Sequence, residues 1–352
     1  MNFASDNTSG VPQQVLEALA RANDGYAMGY GNDALSHRVQ DLVRDLFEAP
    51  TAQVRLVGTG TAANALALAL LCPPWGAAYC HAAAHVDCDE CGAPEFFTGG
   101  GKLVLVPGAH GRITPERLDA VLTRAGRSVH QVQPSALSLS NLTEAGTVYD
   151  PDMLAALTAV ARSHGLAVHL DGARFANALA ATGATPAEAS WKAGVDVLCL
   201  GGTKNGLIGA EAVVIFDGNG GNGGNRAREF DLRRKRAGHL FSKHRYLAAQ
   251  MMAWLEDGLW LDLARQANGA AARLAAGLSK LPDVHLRHPV DGNVIFVDWP
   301  TPLAERLRAQ GAAFYDAPAE DCTPGARLVA SWDTGEDQVA RFLTLAREAR
   351  SP

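Results

Sequence analysis

Short apolar runs alternate with helix-periodic segments over the first 216 residues, and few architectures accommodate that rhythm. "QVRLVG" precedes "TAANALALALL", "KLVLVPG" precedes "TPERLDAVLTRA", "PSALSLS" precedes "DPDMLAALTAVARSHG", and "LAVHLDG" precedes "RFANALAATG" and then "VDVLCLGG". Each unit reads as strand, helix, strand, so the chain is expected to be α/β, with a mostly parallel central sheet flanked by helices. Thr114-Pro115-Glu116 and Asp150-Pro151-Asp152 each set a capping side chain before a first-turn proline, which fixes two helix starts. The rhythm fades after "AEAVVIF". The glycine and asparagine tract "DGNGGNGGN" then reads as a loop without function, followed by a basic helix and by alanine- and leucine-rich helices from about Tyr246 to Leu281. "NVIFVDW", "ARLVASW" and "EDQVARFLTLAREAR" suggest a smaller α+β unit, so the expected division is a large domain over 1–245 and a small C-terminal domain over 246–352.

Charge excludes some functions. The net charge is −6 with 31 basic and 37 acidic residues, which leaves no basic field for nucleic acid or an anionic membrane. "RAREFDLRRKRAGH", Arg226 to His239, is the densest basic stretch and reads either as a solvated helix face or as a phosphate site. The start, "MNFASDNTSG", lacks the basic and apolar regions of a signal peptide, and "ALALALLC" is too short to cross a bilayer, so a cytoplasmic protein is expected. Six scattered cysteines, at 72, 80, 88, 91, 199 and 322, read as reduced thiols.

Three features could carry chemistry. "GTGTAA" puts G-x-G-x-x-A at 58–63 between a strand and a helix, where backbone amides can cradle a phosphate at Gly58, Thr59 and Gly60. A dinucleotide would also need an acid about 20 residues on, and that region, "AAYCHAAAH", offers none. "LAVHLDGARFANA" places Asp171 at a strand end, where it either caps the next helix or meets a ligand. Lys204 follows a buried strand among Gly201, Gly202, Gly206 and Gly209, where burial lowers a lysine pKa and favours a Schiff-base nucleophile. Phosphate donors, an acid and a lysine on one sheet match what pyridoxal 5′-phosphate (PLP) requires.

Their order resembles the fold-type I, aspartate aminotransferase-like PLP enzymes. Within these the chain resembles the bacterial low-specificity L-threonine aldolases nearly end to end, through "FASDNTSG", "GYGNDA", "GTGTAANALAL", "AHVDCDECGAPEFFTGGGKL", "HLDGARFANA", "WKAGVDVLCLGGTKNG" and "RLVASWDT". The resemblance implies retro-aldol cleavage of L-threonine, L-allo-threonine and other L-3-hydroxy-α-amino acids to glycine and an aldehyde. It implies that Lys204 bonds the cofactor aldehyde, that Asp171 pairs with the ring nitrogen, and that His85, after the third strand, stacks on the ring. By the same resemblance Ser5, Arg174 and Arg327 hold the substrate carboxylate, with Arg174 also beside the cofactor. Tyr30, Lys235 and Lys243 would reach the site from a neighbouring subunit, in a homotetramer built from dimers. Many members carry a second histidine against the substrate hydroxyl; "SNLTEAGTVY" offers Glu144 instead, so the base is expected to be His85, Glu144 or a water.

Other readings stand beside this one. β-Elimination, transamination or racemisation would use the same residues. A nicotinamide oxidoreductase rests on G-x-G-x-x-A alone. A metal-binding or redox protein rests on "HVDCDEC", where His85, Cys88 and Cys91 fall short of the four ligands of a structural zinc site and the acids would raise the thiol pKa values. No metal is therefore expected, and the two cysteines are expected to be packing residues of a short helix.

Overall fold

The computed structural model describes residues 1–126, 128–216 and 223–348. The chain opens with α1 (Gln13–Ala22) and α2 (Ala34–Leu46) and enters a sheet at β1 (Gln53–Val57). α3 (Gly60–Leu71) leads to β2 (Gly76–His81), and the short α4 (His85–Cys88) and α5 (Ala93–Thr98) lead to β3 (Lys102–Val106). α6 (Pro115–Leu122), β4 (Gln133–Ser140), α7 (Pro151–Ser163), β5 (Ala167–Gly172), α8 (Phe175–Thr182), β6 (Val197–Gly201) and β7 (Glu211–Ile215) follow. Three helices come next, α9 (Gly223–Arg236), α10 (Arg245–Leu255) and α11 (Leu259–Leu278). Last are β8 (His285–Leu286), β9 (Val294–Asp298), α12 (Thr301–Ala309), β10 (Tyr315–Asp316), β11 (Gly325–Val329) and α13 (Glu336–Glu348).

The large sheet has the order β1-β7-β6-β5-β4-β2-β3, parallel throughout except that β7 runs antiparallel to both its neighbours. Helix crossovers of this kind bury both sheet faces, which explains why β6 and β7 are apolar and buried at nearly every position. Thr114 and Asp150 cap α6 and α7 by accepting from the amides of Arg117 and Met153, as their sequence signals require. The second sheet is antiparallel, β10-β11-β9-β8, and Phe3 of the amino-terminal segment packs into its core. Residues of α10 and the first turns of α11 pack with the large core, and from Ala270 onward α11 joins the second.

Several sequence expectations change here. Residues 217–222 of the glycine tract lie outside the described residues, and α9 already begins at Gly223, inside it. His85 follows β2, one strand earlier than expected, because α3 alone separates β1 from β2. Cys88 and Cys91 are exposed and free, so neither is a core packing residue; Cys91 sits at φ 52°, outside the four-residue α4. Burial first, and then Asp87 and Asp89, push the Cys88 thiol up, away from redox reactivity.

Candidate active site

Ligands of open α/β sheets bind beyond the carboxyl ends of the parallel strands, and there the loops after β1, β2, β5 and β6 meet. They enclose a cavity of about 310 Å³ lined by Gly58, Thr59, Gly60, Thr61, Asn64, His85, Asp171, Thr203, Lys204 and Glu211, among others. A larger cavity, about 740 Å³, lies between α5 and α9 and contains none of these residues. Size therefore does not mark the site; convergent titratable groups do.

At one wall, β1 ends and α3 begins. Thr59 caps α3, accepting from the Ala62 amide, and the amides of Gly60 and Thr61 belong to the first turn, which has no intrahelical acceptors. A Cβ at Gly58 would stand 2.9 Å from the exposed Phe241 ring, so a larger residue there would have to displace that side chain. Lys204 occupies the turn Thr203–Asn205 after β6. Burial, reinforced by the Arg174 charge, lowers its amine pKa, and it makes no hydrogen bond or ion pair among the described residues. Glu211 braces this turn, accepting from the Gly202 amide at 3.0 Å and the Thr203 hydroxyl at 2.5 Å.

The opposite wall is a chain of polar side chains. Asp171 accepts from the Ala173 amide at 2.9 Å and from Asn64 Nδ2 at 2.8 Å; the same Nδ2 donates to Glu90 Oε1 at 2.8 Å, which in turn lies 2.8 Å from His85 Nδ1. His85, Glu90 and Asp171 stand as near one another as metal ligands do, but Asn64 sits between the two carboxylates as a donor. Glu144 accepts from the His85 backbone amide at 3.0 Å and from Ser140 at 2.8 Å, and burial, then the Asp171 charge, raises its pKa.

Arg174 is held by Asp6, which accepts from its Nε and Nη2 at 2.7 and 3.0 Å and also from Asn293 Nδ2 at 3.0 Å. That pairing leaves Nη1 for a ligand. Arg327 donates to the Ala4 carbonyl while its buried Nε has no partner, and Ser5 caps the turn that contains Asp6. Tyr30, Lys235 and Lys243 do not line the cavity of their own chain. Instead Lys235 lies 4.9 Å over the Tyr30 ring, and the Tyr30 amide donates to Ser242, next to exposed Lys243. Nor is the basic stretch only a solvated face, since buried Arg234 ties α9 to the Leu56 carbonyl and pairs with Asp231 of its own helix.

Sequence reasoning missed Asp6, Asn64, Glu90 and Glu211. A signal existed for Asn64, an amide inside an otherwise apolar helix, and for Glu211, an acid opening an apolar strand.

A mostly parallel seven-stranded sheet flanked by helices, with a second small antiparallel sheet, is the architecture of the fold-type I PLP enzymes. An SPT structure solved with PLP superposes with TM-score 0.71 at 18% identity over 99% of this chain and 87% of its own. The beta-eliminating lyase model matches residues 2–300, and the chain belongs to that family. Within it the chain is 45% identical to a low specificity L-threonine aldolase of Pseudomonas aeruginosa, over 99% of this chain and 96% of that protein. A threonine aldolase of Leishmania major superposes with TM-score 0.91 at 30% identity, covering 99% and 98% of the two chains.

Proposed function

We propose that the protein is a PLP-dependent low-specificity L-threonine aldolase that cleaves L-threonine and L-allo-threonine to glycine and acetaldehyde. The observation that carries this is the grouping of unpaired Lys204, strand-end Asp171 and the α3 N-terminus around one cavity. These residues fit PLP: first-turn amides and Thr59 suit a phosphate, Asp171 a protonated ring nitrogen, and a lysine of lowered pKa an aldehyde. When bound, PLP supplies an electron sink for the pair left on the substrate Cα. The remaining work falls to the chain. Arg174, through Nη1, and Arg327 hold the substrate carboxylate beside Ser5. His85 takes the β-hydroxyl proton, the O–H pair forms the aldehyde C=O, and the Cα–Cβ pair stays on Cα, where a proton completes glycine. His85 lines the cavity, whereas Glu144 does not and its Oε1 is already engaged by two donors, so His85 is the base of this reading.

The same reading makes the active unit an oligomer. Tyr30, Lys235 and Lys243 gather on one exposed surface outside their own chain's cavity, so a second copy of the chain would carry them to it, in a dimer or a dimer of dimers. Among the described residues no helix is long and apolar enough to cross a membrane. Borohydride treatment of the protein supplied with PLP should fix the cofactor covalently to Lys204, as read by peptide mass; fixation at another lysine, or at none, would sink the assignment.

A further inference from the structure

Glu90 lies in the stretch "HVDCDECGAPEFF", is wholly buried and makes no contact that PLP or a substrate would need. Its surroundings nevertheless fix its chemistry. Asn64 Nδ2 stands 2.8 Å from both Glu90 Oε1 and Asp171 Oδ2. Were the amide turned over, its oxygen would face two carboxylate oxygens at that distance, so the NH₂ group must be the one between them. Glu90 Oε1 therefore accepts from Asn64, and as a carboxylate oxygen it has no hydrogen of its own to give; burial raises the Glu90 pKa, and the hydrogen bonds from His85 and Asn64 oppose that rise. The imidazole nitrogen 2.8 Å from that oxygen, Nδ1 of His85, must supply the hydrogen of that contact. A neutral imidazole carries one N–H, so Nε2 is left with its lone pair.

We propose that Glu90, held in place by Asn64, is a positioning residue that fixes His85 in the Nδ1–H tautomer and leaves Nε2 as the acceptor for the substrate's β-hydroxyl proton. The inference rests on the aldolase reading for the identity of that proton, but the tautomer rests on the geometry alone. The arrangement follows the logic of a carboxylate orienting a histidine base from behind. Once Nε2 has taken a proton, the imidazolium lies against a carboxylate it already bonds. Four titratable groups face His85: Glu90 beside it, Asp171 at the end of β5, Lys204 after β6, and Glu144, which accepts from its backbone amide. The hydrogen bond to Glu90 raises the His85 pKa, and burial and the Lys204 charge oppose it.

The test is nitrogen NMR of ¹⁵N-histidine-labelled protein, with the His85 signals assigned by their loss in His85→Asn. In the parent, neutral His85 should show a protonated Nδ1 and an unprotonated Nε2. In Glu90→Gln its titration midpoint should fall by at least one pH unit, a tenfold loss of proton affinity, and the acid limb of kcat for threonine cleavage should move with it while KM stays near the parental value. Glu90→Asp, which keeps the charge, should restore most of the midpoint. An Nε2–H tautomer in the parent, or an unmoved midpoint in Glu90→Gln, overturns the proposal. Should Glu90→Gln fail to fold, the parental tautomer and the Glu90→Asp titration still decide. A parent that shows the expected tautomer but releases no glycine would refute the aldolase reading and leave the tautomer assignment standing.

Discussion

Asp6 and Glu211 show how burial converts single charges into measurable consequences. Asp6 is 1% exposed and holds Arg174 at two points; burial alone would raise its pKa, but the guanidinium more than offsets that and keeps the carboxyl ionised. Removing one partner of a buried ion pair typically costs about 3–5 kcal/mol. Asp6→Asn should lose stability of that order in urea unfolding and should raise KM for amino-acid substrates, because Arg174 is no longer held; unchanged KM would show that Arg174 does not bind substrate. Glu211 behaves in the opposite sense. Burial pushes its pKa to about 7 from an ordinary 4.5, against hydrogen bonds from Thr203 and Gly202. Between those values the folded state holds more proton than the unfolded one, so stability falls as pH rises through the window. Glu211→Gln removes this dependence. Its stability relative to the parent should rise between pH 5 and pH 8 by on the order of a few kcal/mol, measured on cofactor-free protein; a constant difference would contradict the raised pKa.

At the scale of elements, the site depends on how closely β5 and β6 approach at their carboxyl ends. A Cβ on Gly201 would stand 2.6 Å from the Ala173 Cα, and one on Gly172 would stand 2.7 Å from the Cys199 carbonyl. These contacts are with backbone, so neither neighbour can swing aside. Gly201→Ala should destabilise the fold by about 1–3 kcal/mol and, by displacing the Lys204 turn, weaken PLP retention. Full retention of cofactor by a stable variant would contradict that coupling. The elements themselves were largely legible in the sequence, since strand and helix periods and the caps Thr114 and Asp150 are local signals. Lys204, Asp171 and Gly58 were legible for the same reason, each lying at an element end with a chemical signature. Glu90 and Asp6 were not, and Asn64 showed only as an amide in an apolar helix, because their roles exist only through partners 26, 107 and 168 positions away. Arg174 and the exposed Cys88 and Cys91 illustrate the same limit: their residue type was clear, but what they touch depends on distant chain segments.

At the scale of the molecule, Tyr30 and Lys235 share an exposed surface away from the cavity of their own chain. If a second copy brings it to the cavity, a shared two-fold interface puts residues from both chains in each site. Mixing Lys204→Ala with Lys235→Ala should then give hybrids with activity that neither parent has, since one of the two sites in each hybrid carries no substitution; absence of gain in verified hybrids would confine each site to one chain. The central claim concerns the reaction, and the same residues could serve cleavage or elimination. The direct measurement is the product ratio when the PLP-loaded protein is given L-threonine or L-allo-threonine. Glycine and acetaldehyde should be released in equal amounts, and Lys204→Ala should release neither. Ammonia and 2-oxobutyrate in their place would contradict the account.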